Sequence, residues 1–387
     1  MPGWSKDGGA SVGLKASEFK DRALCENQSL HKQSNFRLLV VRLGAMGDIL
    51  HALPAITALR KAHPEWTIDW VVDPRWQALL TAGGSNLRTT GAVRGPEKPV
   101  VDVLHLAPAK QWGRRPFSLE TLREIRNLRC ALRARSYDVV LDVQGAIRSA
   151  VIARFAGSPR VIGESFPREH AARWLFTQRV ETQGAHVIEQ DVELASAVAG
   201  DTLTPQKPLL PVDPECESWC DQVLSATAAP AVLMNPGAGW GAKRWPPERY
   251  AAVARGLIDR GFNVLINTGP GEGPLAQVIV SATRGEARQL APTLGQLIAL
   301  TRRVALCISG DSGPLHLACA LGRPVVGIYG PTDPSRNGPF GTRFRVLRNP
   351  QSRRDHTRRA EPEAGLLTIQ PDEVLRAADE LLVEETA

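Results

Sequence analysis

Four short stretches hold residues able to do chemistry. GAMGD (44–48) places one acid, Asp48, between an apolar run and a helix-like pattern, with His51 three residues on. A carboxylate there can take a proton from a hydroxyl, but an aspartate at a helix start is also a good cap. Position alone leaves both readings open. NPGAGWGAKRWP (235–246) carries three glycines and a Lys-Arg pair. Its exposed amides and Lys243 suit a phosphate, although Lys243 also reads as a solvated surface lysine. SGDSGPLHLA (309–318) sets Asp311, Ser312 and Gly313 at a helix start, with His316 one turn later. Amides at such a point attract anions or bond sugar hydroxyls. Asp311 is equally a cap, and histidines placed like His51 and His316 are more often satisfied helix histidines than catalysts. YGPTDP (329–334) adds Thr332 and Asp333 in a tight turn.

These loops need elements to aim them. FRLLVVRL (36–43), WTIDWVVDP (66–74), VDVLHLAP (101–108) and YDVVLDVQG (137–145) read as buried strands. Helical patterns alternate with them, including LETLREIRNLRCALRARS (119–136) with its basic polar face. The alternation argues for a parallel sheet covered by helices. It weakens over DTLTPQKPLLPVDPECES (201–218), then restarts from AVLMNPGAG (231–239). The expected fold is α/β, with two Rossmann-like, doubly wound parallel-sheet domains facing a cleft. The expected division is an extension over 1–35, a first domain over 36–205, a linker region over 206–229, a second domain over 230–368 and a C-terminal helix over 369–387. In open sheets of this kind ligands bind beyond the carboxyl ends of the strands. All four chemical stretches fall there, and capping alone does not require that clustering.

Bulk properties narrow the function. At 387 residues the chain suits two domains, and 43% hydrophobic residues supply real cores. A net charge of +7 and a pI near 9.3 favour acidic partners. The basic residues are spread along the chain and no nucleic-acid-binding signature is present, so no nucleic acid is expected as partner. Six cysteines are scattered, and CESWC (216–220) has no second pair to complete a zinc set, so no metal is expected and the thiols read as reduced. No apolar run is long enough for a membrane span, and the first 35 residues lack a secretory h-region. A cytoplasmic protein is expected, with peripheral contact with the inner face of the membrane left open. GAMGD lacks GxGxxG, which argues against a dinucleotide-dependent oxidoreductase.

VRLGAMGDILHALPAITALRK, YDVVLDVQGAIRSAVIAR, GAKRWPPERY and SGDSGPLHLACALGRPVVGIYGPTDPSRNGPFG together resemble glycosyltransferase family 9, the lipopolysaccharide heptosyltransferases, from about residue 37 to 345. Within the family, KQWGRRPFS (110–118), GESFPREHAARWLFTQRV and GAHVIEQD (184–191) resemble the type I branch. RNPQSRRDHTRRAEPEAG has no cysteine, where type II enzymes often carry a cysteine-rich stretch. The resemblance implies the GT-B arrangement, with the C-terminal helix returning to the N-terminal domain. It also implies inverting transfer of heptose from ADP-heptose to the Kdo of a Kdo-lipid A acceptor, independent of metal or other cofactor. Asp48 then corresponds to the base, its pKa raised beside the donor diphosphate, and Lys243 to the diphosphate-binding lysine. The amides of Ser312 and Gly313 would assist Lys243. Asp311 would bond heptose hydroxyls, with His316 supporting that loop, and Glu272 would hold the ribose. Lys110, Arg114 and Arg115 would meet the acidic acceptor, or be a solvated loop. Gln144 and Arg148 line the next strand-end loop on the acceptor side. The rivals are a type II or other family 9 transferase with a different acceptor or nucleotide sugar, and a sugar-nucleotide-binding protein without catalysis.

Overall fold

The computed structural model describes residues 36–83, 94–354, 357 and 359–383. The expected extension over 1–35 lies outside them.

Two six-stranded sheets, parallel throughout, follow one another along the chain. The first is built from β1 (Arg37–Val41), helix α1 (Met46–Ala62), β2 (Thr67–Val72), β3 (Val103–Leu106), α2 (Leu119–Ala134), β4 (Val139–Asp142), α3 (Ile147–Phe155), β5 (Arg160–Glu164), β6 (Gln178–Val180) and α4 (Val187–Ala199). After α5 (Pro214–Leu224) the second comprises β7 (Ala231–Asn235), α6 (Pro247–Asp259), β8 (Asn263–Asn267), α7 (Gly273–Ala282), β9 (Arg288–Leu290), α8 (Leu294–Thr301), β10 (Leu306–Gly310), α9 (Gly313–Ala320), β11 (Val325–Tyr329), β12 (Phe344–Arg348) and α10 (Pro371–Val383).

The first sheet runs β3-β2-β1-β4-β5-β6 and the second β12-β11-β10-β7-β8-β9. The topology is the same in both. Each chain direction reverses its march across the sheet once, between β1 and β4 and between β7 and β10. Loops after those four strands diverge and leave a crevice at each switch point. The central strands are apolar on both faces (RLLVV, VVLD, AVLMN, LCISG), as strands covered by helices on both sides must be.

Two expectations need correction. Residues 214–224 of the expected linker form α5, whose start is capped by Asp213 accepting from the amides of Glu215 and Cys216. Arg302 and Arg303, just after α8, both pair with Glu217 at 2.7 Å, so α5 packs with the second half. The C-terminal helix does not return to the first domain. α10 packs on α6 and on β10, β11 and β12, burying Val374, Ala377, Ala378 and Leu381. Arg249 holds the chain on its way there by donating to the carbonyls of Leu367 (2.6 Å) and Ile369 (2.5 Å). The amphipathic stripe of α10 needs an apolar face, and the nearest uncovered one belongs to its own sheet.

The two halves are not separate cores. One apolar cluster runs from Leu53 and Ile56 on α1 through Leu210 and Cys220 to Leu297, Leu300 and Leu317 of the second half.

Candidate functional site

Asp48 lies in the first turn of α1, at the β1 switch-point loop. Its Oδ2 accepts from the amide of Ala45 at 2.8 Å and its Oδ1 pairs with Arg42 at 3.2 Å. It therefore caps its helix in part. Yet 35% of its side chain stays exposed, so it is open to a reactant. Burial alone would push its pKa up. The Arg42 guanidinium, the Ala45 amide and the charges of Arg168 and His316 outweigh that, and the carboxyl sits below its ordinary value. The protein's own surroundings thus act against the raised pKa expected beside a diphosphate.

Arg42 is buried, and its other nitrogen donates to the carbonyl of Val143. Two buried acids share its neighbourhood. Asp142, at the end of β4, accepts from the amides of Gln144 (2.8 Å) and Gly145 (2.9 Å), and burial pushes its pKa up to about 6. Asp191, on α4, has one carboxylate oxygen without a hydrogen-bond partner, and burial pushes its pKa up to about 7.

In the second half, Lys243 Nζ pairs with Asp311 Oδ2 and stands 4.2 Å from the centre of the Trp240 ring. Asp311 Oδ1 faces His316 Nε2 at 3.3 Å, and His316 Nδ1 meets His51 Nε2 at 3.1 Å. A buried chain Lys243–Asp311–His316–His51 therefore crosses from the second half to α1, the helix that carries Asp48. Burial would raise the pKa of Asp311, but His316 and Lys243 hold it well below the usual carboxylate range. The His51 ring goes the other way. Burial, then the neighbouring His316 and His186 rings, keep it neutral. Asp311, an ionised carboxylate, only accepts, so His316 Nε2–H donates to it. His51 Nδ1 is buried without a hydrogen-bond partner.

The crossing of α1 and α9 requires glycine twice. A methyl group on Gly47 would stand 2.7 Å from the His316 ring, and one on Gly313 would stand 2.6 Å from Met46 Sδ. Ser312 starts α9, and its hydroxyl shares a 2.9 Å hydrogen bond with Ser309. Glu272 starts α7, accepts from the amide of Gly269 at 2.8 Å and faces Gly237, where a methyl would stand 2.0 Å from its Oε1. Glu272 and the 235–246 loop thus share one edge. Beneath them Asn267 donates to Asn235 at 2.7 Å, a buried brace between the ends of β8 and β7.

The residues expected to meet an acceptor are arranged differently. Lys110 lies on a single helical turn, Ala109–Trp112. Arg114 and Arg115 line a separate hollow of about 280 Å³ with Trp112, Thr121 and Glu124. Gln144 is engaged with the protein: its Oε1 accepts from the amide of Leu43 at 2.8 Å and ties the β4 loop to the end of β1. Arg148 starts α3 and is exposed. A larger cavity of about 520 Å³ lies behind the two histidines, lined by Leu50, Pro54, Cys319 and Phe340 among others. Among the described residues no group of three or more His, Cys, Asp or Glu side chains is placed to hold a metal ion. Asp333 is a cap, accepting from the amide of Ser335 at 3.0 Å.

Sequence reasoning missed Arg42, Asp191 and the link through His51. Arg42 directly follows β1 in sequence, a visible signal. The other two are contacts across long stretches of chain, 265 residues apart for His51 and His316.

Comparison with known proteins agrees with this geometry. A family profile described as "Glycosyltransferase family 9 (heptosyltransferase)" matches residues 125–366. The chain is 26% identical over 325 residues to "Lipopolysaccharide heptosyltransferase 1" of Pseudomonas aeruginosa, covering 79% of this chain and 81% of that protein. It is 28% identical over 371 residues to "Lipopolysaccharide heptosyltransferase 2" of Escherichia coli, covering 91% and 100%. The structure of E. coli heptosyltransferase WaaC with ADP-2-deoxy-2-fluoro heptose superposes with a TM-score of 0.68 at 25% identity, covering 91% of this chain and 100% of that one. The two facing Rossmann-like halves are the GT-B fold.

Proposed function

The chain belongs to glycosyltransferase family 9, and on that premise we propose that it transfers heptose from ADP-heptose to the Kdo of a Kdo-lipid A acceptor in the cytoplasm. What carries the reading is the constellation at the two switch points. Asp48 on one side and Lys243 with Asp311 on the other are tied to one another through α1, His51 and His316.

The acceptor hydroxyl attacks the anomeric carbon as the bond to the ADP oxygen breaks. Asp48 takes the hydroxyl proton. Held ionised by Arg42, it is a weak base, which suits a transfer in which the proton leaves late. The departing diphosphate gains negative charge. Lys243 has one N–H on Asp311, which orients it and leaves two for phosphate oxygens. The amides of Ser312 and Gly313 supply further donors at the start of α9. Asp311 and Glu272 accept from heptose and ribose hydroxyls respectively, while His316 fixes Asp311. Lys110, Arg114, Arg115 and Arg148 bind the acceptor's carboxylates and phosphates. Gln144 acts by bracing the Asp48 loop.

The test is ADP release from ADP-heptose with Kdo-lipid A, for wild type and Asp48→Ala. Acceptor-dependent release, lost in the variant while ADP-heptose still binds, supports donor, acceptor and base together. Intact donor binding without release on that acceptor removes the type I reading. A second reading, type II transfer onto an acceptor already bearing heptose, draws support from the longer match to the type II relative. The same assay on heptosylated acceptor separates the two.

A further inference from the structure

Thirteen large apolar residues are more than a third exposed among the described residues, and seven of them fall between 117 and 174. Phe117 is 90% exposed, Leu119 84%, Trp174 72% and Phe166 63%. Ile147 and Val151, on α3, join them.

These residues belong to adjoining elements. The loop holding Phe117 approaches α3, where Arg148 Nη2 stands 3.8 Å from the place a methyl on Gly113 would take. The amide of Ile147 donates to Glu169 at 2.8 Å, which docks the 165–175 segment on the same helix start. The backbone amide of Arg168 is as close to Gly145, at 3.1 Å from its would-be methyl. Trp174 lies beneath two guanidinium groups, Arg173 at 5.4 Å and Arg179 at 5.7 Å from its ring centre. Beside Leu119 and Leu122, α2 exposes Arg123, Arg126, Arg129 and Arg133. Within 117–174 ten arginines stand against six acids, Glu120, Glu124, Asp138, Asp142, Glu164 and Glu169, and Asp142 is buried.

We propose that this face of the first half docks on an anionic lipid bilayer, with Phe117, Leu119, Phe166 and Trp174 entering the interface and the arginines contacting headgroup phosphates. The composition decides for a bilayer. A polyanion such as RNA needs the arginines but not four exposed apolar tips, and a protein partner does not need so basic a surface. A tryptophan framed by arginines suits the depth where acyl chains meet headgroups. The site lends its own argument: Arg168, in the docking segment, lies close enough to Asp48 to act on its charge. Docking would therefore turn the mouth of the cleft toward the membrane, where the lipid-linked acceptor resides. That last step rests on the function proposed above. The docking itself does not.

Flotation with phosphatidylcholine vesicles, with and without phosphatidylglycerol, tests it with no sugar nucleotide present. Wild type should float with the anionic vesicles only, and less as salt rises. Phe117→Ser with Trp174→Ser should lower that binding by about tenfold with an unchanged melting curve, because neither side chain is part of the core. Arg123→Gln with Arg126→Gln should lower it and flatten the salt dependence. Failure of wild type to float on anionic vesicles overturns the proposal. So does binding that ignores the apolar substitutions but is competed away by polyphosphate, which would mark a plain polyanion surface. Transfer to a delipidated Kdo oligosaccharide keeps the two readings apart. The Phe117/Trp174 variant should retain it, and its absence in wild type would remove the transferase reading while leaving docking intact.

Discussion

Two carboxylates in one neighbourhood are driven to opposite states by what touches them. Asp48 faces Arg42 and the amide of Ala45, so its pKa lies below the ordinary 3.8. It is already ionised at neutral and mildly acidic pH. On its account kcat/KM should stay flat from about pH 7 to about pH 5 and fall only in stronger acid. A titration near pH 6 that vanishes in Asp48→Asn would contradict this. Asp191 has no such partner on one oxygen, and burial lifts its pKa to about 7. The folded protein then holds a proton that the unfolded chain has lost, so stability falls as pH rises from about 4 to about 7. Asp191→Asn removes that penalty. It should stabilise the protein by about 1–3 kcal/mol at alkaline pH and by less in mild acid. Denaturant melts at the two pH values check it, and parallel behaviour of variant and wild type would show that Asp191 is not the group responsible.

At the level of elements, what could be read from the sequence was what local patterning determines. Central strands are continuous apolar runs because helices cover both their faces, so β1, β4 and β7 stood out, and with them the loops holding Asp48 and Lys243, while the Asp311 loop was marked by its own SGDSG residues. The edges β6, β9 and β12 did not. QRV, RQL and FRVLR are short or polar, because an edge strand needs little burial. The placement of α10 was misjudged because an amphipathic stripe says that a helix packs but not on which surface. Nor does any local pattern announce that α1 and α9 cross, since the glycines permitting it look like ordinary loop and cap residues. That crossing carries its own prediction. Alanine at position 47 gains up to about 1 kcal/mol of helix propensity. Its methyl, however, meets the His316 ring at 2.7 Å. Gly47→Ala should therefore leave the melting temperature near that of wild type while lowering kcat by about tenfold or more, through displacement of His316 and Asp311. Full activity would mean that the ring moves aside without consequence for the site.

Across the whole molecule, the shared core sets the limits on how the halves behave. Domains joined by a small polar contact move and unfold independently, whereas a large apolar interface couples them. Here one cluster joins Leu53 and Ile56 of the first half to Leu297, Leu300 and Leu317 of the second, with Leu210 and Cys220 between. The irregular stretch before α5 is thus partly built into that cluster, and α10 lies away from the boundary. Thermal unfolding should accordingly give one calorimetric transition. Removing α10 by truncation after residue 368 sharpens the test. Loss of the burial of Val374, Ala377, Ala378 and Leu381 destabilises the second half directly, by about 2–5 kcal/mol for a side chain such as Leu381 alone. If the halves were independent, the truncated chain would show an early transition for the second half and an unchanged one for the first. Because they share a core, the single transition should move down as a whole, and two resolved peaks would refute the coupling.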